Sequence, residues 1–230
     1  WNVSVQQRLG RRQTVEVAYV GSLGRNLVGA RDINQPAPSP APFNLRPNPR
    51  FADILMIESR ARSRFNAFEL RFDQQLDRGV SATASYTLGK SMDDASSFFS
   101  SSGDANFPMD SNNPGAEWAR SNFDVRHRFT LGGLWQIPVG RNRRFLRDGF
   151  GATCLGNWDL YAVVALQTGR PFTAAVHPDI DISNTGRASL GFGSNDRPNG
   201  VGDPSVADPG PERWFNALAF DMPTYGTFGD

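Results

Sequence analysis

Residues 66–90 read NAFELRFDQQLDRGVSATASYTLGK, and this stretch decides the fold. Apolar residues occupy even positions on both sides of the turn at 77–79, and polar residues fill most of the odd positions. Successive side chains on a strand point to opposite faces, so the pattern predicts a hairpin with one apolar and one polar face. Each arm has about 11 residues, the length of a tilted strand that crosses a bilayer.

The same alternation recurs along the chain. It predicts six long strands over residues 1–9, 14–20, 66–76, 80–90, 124–137 and 158–168. The connections at 10–13 and 77–79 are short and that at 138–157 is moderate, whereas those at 21–65, 89–123 and 176–230 are long. An apolar stretch at 51–60 does not fit the up-and-down order, so we expect it to form separate β structure outside the membrane. Glu58 to Arg64 would be its exposed, charged end.

Composition excludes several classes. The net charge of +1 gives no electrostatic case for nucleic acid, and the single cysteine, Cys154, excludes an intrachain disulfide. Mean hydropathy is −0.44, and no run approaches the ~18 apolar residues of a membrane helix. A barrel strand, however, exposes only every second residue to lipid.

These observations favour an all-β chain: a fragment of an antiparallel transmembrane β-barrel with about six spanning strands and long extracellular loops. Short turns would lie in the periplasm, and the protein in the bacterial outer membrane. The aromatic residues near strand ends fit a barrel's interfacial girdle; they are Trp1, Tyr19, Tyr86, Trp135 and Trp158.

An ordered set of motifs carries a family resemblance. They are VEVAYVGSLGRNL (15–27), RDINQP (31–36), the hairpin with its continuation (66–96), EWARSNFDVRHRF (117–129), LQTGRPFT (166–173), SNTGR (183–187), RPN (197–199) and PERWFN (211–216). Together they resemble the C-terminal part of TonB-dependent outer-membrane receptors. The closest subgroup has a carboxypeptidase-regulatory-like domain at its N-terminus.

The resemblance implies an energised receptor with a barrel of about 22 strands and a plug inside it. Its partners would be outer-membrane lipid, its own plug, a TonB-type energy-transducing complex and an unknown solute, with no nucleic acid. Residues 1–230 would then be a partial barrel without the plug, a signal peptide or the terminal strand. Taken alone, such a piece would leave strands 1–9 and 158–168 as open edges that invite pairing with other chains.

The polar strand face supplies candidate residues that would line a hydrated lumen. They could contact the plug or a passing solute, or they could simply pair with each other in water. These lumen-facing candidates are Glu69, Arg71, Asp73, Ser81, Thr83, Ser85, Asp124, Arg126 and Arg128. His127 lies on the opposite face, and no serine or cysteine partner stands at a catalytic spacing, so no enzymatic activity is expected.

Ligand contact is expected from aromatic residues in the long polar loop at 89–123, because surface loops often carry recognition. These candidates are Phe98, Phe99, Phe107 and Trp118. Asp179, Asp181 and Asn184 offer oxygens at short spacing, as calcium loops do, but the EF-hand's closing glutamate is missing and turn chemistry explains the same residues. No metal site and no cofactor are therefore predicted.

Two alternatives remain open. A structural or adhesive outer-membrane protein could use the same barrel without energy coupling. A soluble β-sandwich that binds carbohydrate also has alternating strands and aromatic loops, although loops of this length are unusual for it.

Overall fold

The computed structural model describes residues 1–42, 45–97, 107–141, 143–177, 179–186 and 196–230. The long strands are β1 (Asn2–Arg8), β2 (Gln13–Asp32), β3 (Leu55–Asp77), β4 (Val80–Asp93), β6 (His127–Gln136) and β7 (Asp159–Gln167). Short elements complete the chain: β5 (Ala119–Arg120), β8 (Asn199–Gly200), β9 (Phe220–Asp221), a helix α1 (Gly149–Leu155) and 3-10 turns at Pro114–Glu117 and Ala217–Ala219. Among the described residues, no helix combines the length and apolar composition that crossing a membrane would require.

The long strands form one sheet in the order β1-β2-β3-β4-β6-β7, with β5 beside β4. Each hydrogen-bonded neighbour follows in sequence, as in an up-and-down barrel wall. The all-β antiparallel prediction with six long strands is therefore confirmed, with α1 as an addition that the sequence pattern did not indicate.

The strand registers confirm the two-faced pattern. Leu131 pairs with Ala84 on one side and Val164 on the other, whereas its neighbour Thr130 pairs with Ser85 and Ala165. In β1 and β2, Val5 likewise lies opposite Val17. Directly paired residues share a face of the sheet, so the apolar positions of successive strands form one continuous stripe.

The alternation weakens at β7, where the face that is polar in the other strands also carries apolar side chains. Tyr161 and Val163 lie opposite Leu134 and Gly132 and are 73% and 85% exposed. The polar face thus ends in an apolar patch at the edge strand.

Tight turns join strands at one end of the sheet. Arg78 and Gly79 both have positive φ, 48° and 81°, as a two-residue hairpin turn of the I′ type requires. The adjacent turn is tied to this one: Arg12 donates to the Leu76 carbonyl and the Asp77 carboxylate, and accepts from the Gln75 N–H. These contacts fix the strand ends against each other.

The sequence-based prediction of a loop over 21–65 with a separate strand at 51–60 is wrong. β2 continues to Asp32, and β3 begins at Leu55 and runs without a break through 66–76. Backbone pairing extends beyond the two-faced region because outside lipid neither face of a hairpin has to be apolar. The Arg31–Glu58 ion pair at 2.7 Å is characteristic of this extension.

The chain divides into two compact units. The first, the wall unit, contains residues 1–23, 64–91 and 123–170; the second, the loop unit, contains residues 24–63, 92–122 and 171–230. The loop unit collects most residues of the three long connections. Its interior is unusual because, apart from Pro108, the largest fully buried side chains among the described residues are polar: Gln35, Asn34, Thr185, Asp32, Ser111, Ser121 and Ser183.

Candidate functional site

The polar face of the wall unit brings together the central lumen candidates. The Arg71 guanidinium lies 2.7 Å from the Asp73 carboxylate, which also accepts a hydrogen bond from the Thr83 hydroxyl. An open cavity of about 300 Å³ is lined by Glu16, Glu69, Arg71 and Ser85 together with neighbouring residues of the same strands. The sequence did not single out Glu16. The contacts make a hydrated, mixed-charge surface whose members pair with one another.

Of three further lumen candidates, one lies on the polar face as predicted and two do not lie on a strand. Arg128 lies on the polar face, between Thr87 and Gln167. Arg126 is exposed but precedes β6, and its carbonyl accepts from Gly89. Asp124, predicted to face the lumen from a strand, is instead buried at 3% exposure and accepts a 2.7 Å hydrogen bond from the Ser91 N–H. The Asp124 side chain provides the acceptor that this buried backbone N–H requires. The alternation of polar and apolar residues does not indicate such a role.

Two polar pairs lie on the apolar face, toward the strand ends opposite the tight turns. The Tyr86 hydroxyl lies 2.7 Å from Nδ1 of His127, and the Tyr19 hydroxyl donates to the Asn66 side chain. Tyrosines with one apolar and one hydrogen-bonded end suit a membrane–water boundary. Trp135 and Trp158, near the opposite strand ends, are exposed on the same face. Two aromatic rows therefore flank an apolar band, as in transmembrane barrels.

Side-chain hydrogen bonds to backbone organise the loop unit. The Asn34 amide donates to the carbonyls of Asn48, Phe51 and Ala52, and its oxygen accepts from the Asn48 N–H. Asp32 accepts from the N–H groups of Asn34 and Ile54 and lies 3.5 Å from the Arg46 guanidinium. These bonds substitute for regular secondary structure, because buried backbone groups need partners. The RDINQP motif contains both residues, but its spacing alone does not indicate their burial.

The calcium candidates serve as turn residues. Asp181 accepts hydrogen bonds from the N–H groups of Thr185 and Gly186. The Asn184 amide donates to the carbonyls of Ser39 and Ala41, so the amide group holds a distant segment. The Asp179 side chain is 88% exposed and lies near His177. Among the described residues, no three His, Cys, Asp or Glu side chains are grouped to hold a metal ion.

Two of the four aromatic ligand candidates, Phe107 and Trp118, lie in the described part of the chain. Phe98 and Phe99 lie outside the described residues. Phe107 is buried at 8% exposure, so a ligand does not reach its ring in this conformation. Trp118 is partly exposed, and the Arg62 guanidinium lies 5.4 Å above its ring, a cation–π arrangement.

A different aromatic cluster lines an open groove of about 610 Å³ in the loop unit. The rings of Phe172 and Phe215 are 5.3 Å apart, and Phe215 meets Phe220 edge-on at 6.0 Å. Apolar residues surround these rings, and His177 and Asp221 stand among them; the apolar neighbours are Val176, Ile180 and Met222. Sequence reasoning missed the groove because its residues come from separate segments of the chain, mainly 172–180 and 215–222. The aromatic residues Phe172, Trp214 and Phe215 in LQTGRPFT and PERWFN were the signal in the sequence that could have indicated this groove.

The loop unit contains a buried carboxyl group, that of Asp196. Burial raises the pKa of Asp196 above 3.8, the nearby Asp181 charge adds to the shift, and hydrogen bonds from Ser183 oppose it. A carboxyl with a raised folded-state pKa stabilises the fold at low pH, and that contribution is lost as pH rises through the raised value.

We therefore expect Asp196→Asn to leave loop-unit stability at low pH almost unchanged and to increase it at neutral pH. In the native protein the Ser183 N–H donates to the Asp196 carboxylate at 2.7 Å, and the amide oxygen of the variant can still accept this hydrogen bond. Protease cleavage at 176–186 across the pH range measures the difference. Asp203→Asn is the control. Hydrogen bonds from Ser205 lower the pKa of Asp203, so this substitution should decrease stability at neutral pH. Identical pH profiles for the native protein and Asp196→Asn would contradict the assignment.

The family comparison agrees with this geometry. The family model described as an outer membrane beta barrel domain matches residues 1–230. No curated protein matches the chain. No solved structure matches it either. A wall of antiparallel strands with one apolar stripe between aromatic rows, together with a match over the whole chain, shows that the protein belongs to the outer membrane beta barrel domain family and lies in the bacterial outer membrane, in contact with its lipid.

Proposed function

We propose that this chain is part of a TonB-dependent outer-membrane receptor that moves a scarce or bulky solute and catalyses no reaction. The observation that carries the proposal is the loop unit: the stretches 24–63, 92–122 and 171–230 form one compact unit with an aromatic groove. The polar, mixed-charge face of the wall strands suits a hydrated passage. The ordered motif set from VEVAYVGSLGRNL to PERWFN points to this receptor family, with residues 1–230 as part of its barrel.

The aromatic groove is suited to the apolar or aromatic part of a solute. Phenylalanine, valine, isoleucine and methionine side chains favour apolar groups and offer few hydrogen bonds to sugar hydroxyls. His177 and Asp221 at the groove supply the polar contacts that would orient such a ligand.

Energised uptake is tested in the native bacterium by comparing three strains: wild type, one without this protein and one without the inner-membrane TonB component. Untargeted mass spectrometry of spent medium measures which solutes each strain removes. We expect the same solute to remain unused in both mutant strains, because passage requires both the receptor and its energy source. If the solute is still consumed without TonB but not without this protein, the barrel is a passive pore. If uptake is unchanged in both mutants, the transport proposal fails.

The structural or adhesive alternative is favoured by the same exposed aromatic surface, because such patches also bind partners. It predicts that loss of the protein weakens surface attachment or envelope integrity while the solute profile stays unchanged. Measuring attachment in the three strains separates the two functions.

Truncation of one groove aromatic tests where the solute binds. Phe172 is 66% exposed, so Phe172→Ala should leave the fold intact. We expect affinity for the solute identified in the strain comparison to fall about tenfold, which corresponds to ~1.4 kcal/mol. Leu218→Ala is the matched control because Leu218 is 87% exposed and does not line the groove. Equal affinities of the two variants, measured by titration calorimetry, would exclude this groove.

A further inference from the structure

Backbone hydrogen bonds organise the described residues of the connection between β6 and β7, which are 138–141 and 143–157. The N–H of Phe145 donates to the Pro138 carbonyl, and the N–H of Gly140 donates back to the Phe145 carbonyl, both at 2.9 Å. The N–H of Asn157 donates to the Val139 carbonyl at 2.8 Å. Gly140 has φ of 115°, and a Cβ there would lie 2.6 Å from the Gly156 backbone. The two ends of the 138–157 connection are therefore held together beside the strand ends.

Positive charge is concentrated on this connection. Its arginines are Arg141, Arg143, Arg144 and Arg147, and Arg141, Arg143 and Arg147 line an open cleft of about 600 Å³ with Asp148. Arg143 lies 3.3 Å from the Asp159 carboxylate. Within the described residues, no carboxylate lies within ion-pair distance of the other three guanidinium groups. The connection thus presents cationic groups whose charge is not balanced by the described chain.

Large apolar side chains are exposed on the same connection. Phe150 in α1 is 85% exposed and Leu155 at its end is 62% exposed. Phe145 and Leu146 are each 52% exposed. Only Ala152 in α1 is buried, so the helix presents its large apolar residues outward. Arginines beside exposed Phe and Leu side chains are the composition of segments that lie in a membrane interface.

We propose that the 138–157 connection lies on the membrane surface and binds the anionic headgroups of phospholipids, with its apolar side chains inserted among the acyl chains. Continuity with the lipid-facing wall supports this occupant: β6 ends at Gln136 and β7 begins at Asp159, and the exposed Trp135 and Trp158 flank the connection. Charge complementarity supports it too, because unbalanced arginines attract anionic lipid. The connection leaves the sheet at the end with the tight turns, which in outer-membrane barrels faces the periplasm.

The chain provides its own reporter for this proposal. Cys154, its single cysteine, is exposed on α1 and accepts a spin label without further substitution. The labelled protein, purified from outer membranes, is reconstituted into vesicles of phosphatidylcholine alone or of phosphatidylcholine mixed with phosphatidylglycerol. Power saturation then compares label accessibility to oxygen, which concentrates in the bilayer, with accessibility to a water-soluble nickel complex.

We expect the nickel-to-oxygen accessibility ratio to fall several-fold in the phosphatidylglycerol vesicles. Replacing Arg141, Arg143, Arg144 and Arg147 by glutamine should restore the ratio seen in phosphatidylcholine. The control replaces an equal number of exposed arginines elsewhere, Arg25, Arg50, Arg170 and Arg213, and should leave the ratio low. Phe150→Ser with Leu155→Ser should also return the label to water.

Three results would overturn the proposal. The label could remain equally water-accessible in both lipids, or the ratio could be unaffected by the four glutamines in the connection. It could also be low in detergent without phospholipid, which would mean that the connection is covered by protein rather than by lipid.

Discussion

Leu131→Arg is expected to destabilise the folded barrel wall by roughly 2–4 kcal/mol, because Leu131 lies mid-strand on the apolar face, between Ala84 and Val164. The guanidinium would have to enter the hydrocarbon layer or bend toward the interface, and either response costs free energy. Urea unfolding in bilayers, followed by heat-modifiable migration on gels, measures the change.

Thr130→Arg is the matched control because Thr130 is the adjacent residue on the same strand. It lies on the polar face between Ser85 and Ala165, so the new charge remains hydrated. We expect a change within about 0.5 kcal/mol, the usual range for surface substitutions. Equal destabilisation by the two variants would mean that both faces are buried, which would return the β-sandwich to consideration.

Asn34→Leu is expected to have the second large effect, on the loop unit alone. The substitution keeps the side-chain volume similar but leaves the carbonyls of Phe51 and Ala52 and the N–H of Asn48 without their partner. Each of these hydrogen bonds contributes ~0.5–1.5 kcal/mol, so their joint loss should open the segment at 45–54. Limited proteolysis and amide hydrogen exchange at 45–54 measure that opening.

The wall unit provides the internal reference in the same experiment. Its heat-modifiable migration should not change in Asn34→Leu, because the residues that lose hydrogen bonds all belong to the loop unit. Asn112→Leu is the control substitution, since residue 112 is exposed in the same unit. If exchange at 45–54 is unchanged in Asn34→Leu, the buried amide does not organise the loop unit.

Strand alternation was readable from sequence because it is a local property. Lipid on one face and water on the other require every second residue to be apolar, and 68–72 and 80–88 satisfy that requirement residue by residue. The same physics explains the error at 21–65. Once β2 and β3 leave the bilayer, the requirement ends, and pairs such as Arg31–Glu58 continue the hairpin without a periodic signal.

The candidate sites likewise divide into those that follow from local alternation and those that depend on contacts between distant residues. Arg71, Asp73 and Thr83 were placed together correctly because their positions follow from alternation and a tight turn. Asp124 was misplaced because its burial depends on a contact with Ser91, 33 residues earlier. Phe172, Phe215 and Phe220 were not grouped because nothing in the sequence indicates that residue 172 lies beside the segment 215–220.

Sequence by itself determined the two-faced strands, their number, the tight turns and the membrane in which the chain lies. Each of these follows from a solvent boundary that acts on consecutive residues. Tertiary structure decided the polar core around Asp32 and Asn34, the aromatic groove and the ordered connection with its exposed Phe150. These features depend on hydrogen bonds and contacts between distant segments, whose formation is governed by three-dimensional packing rather than by local periodicity.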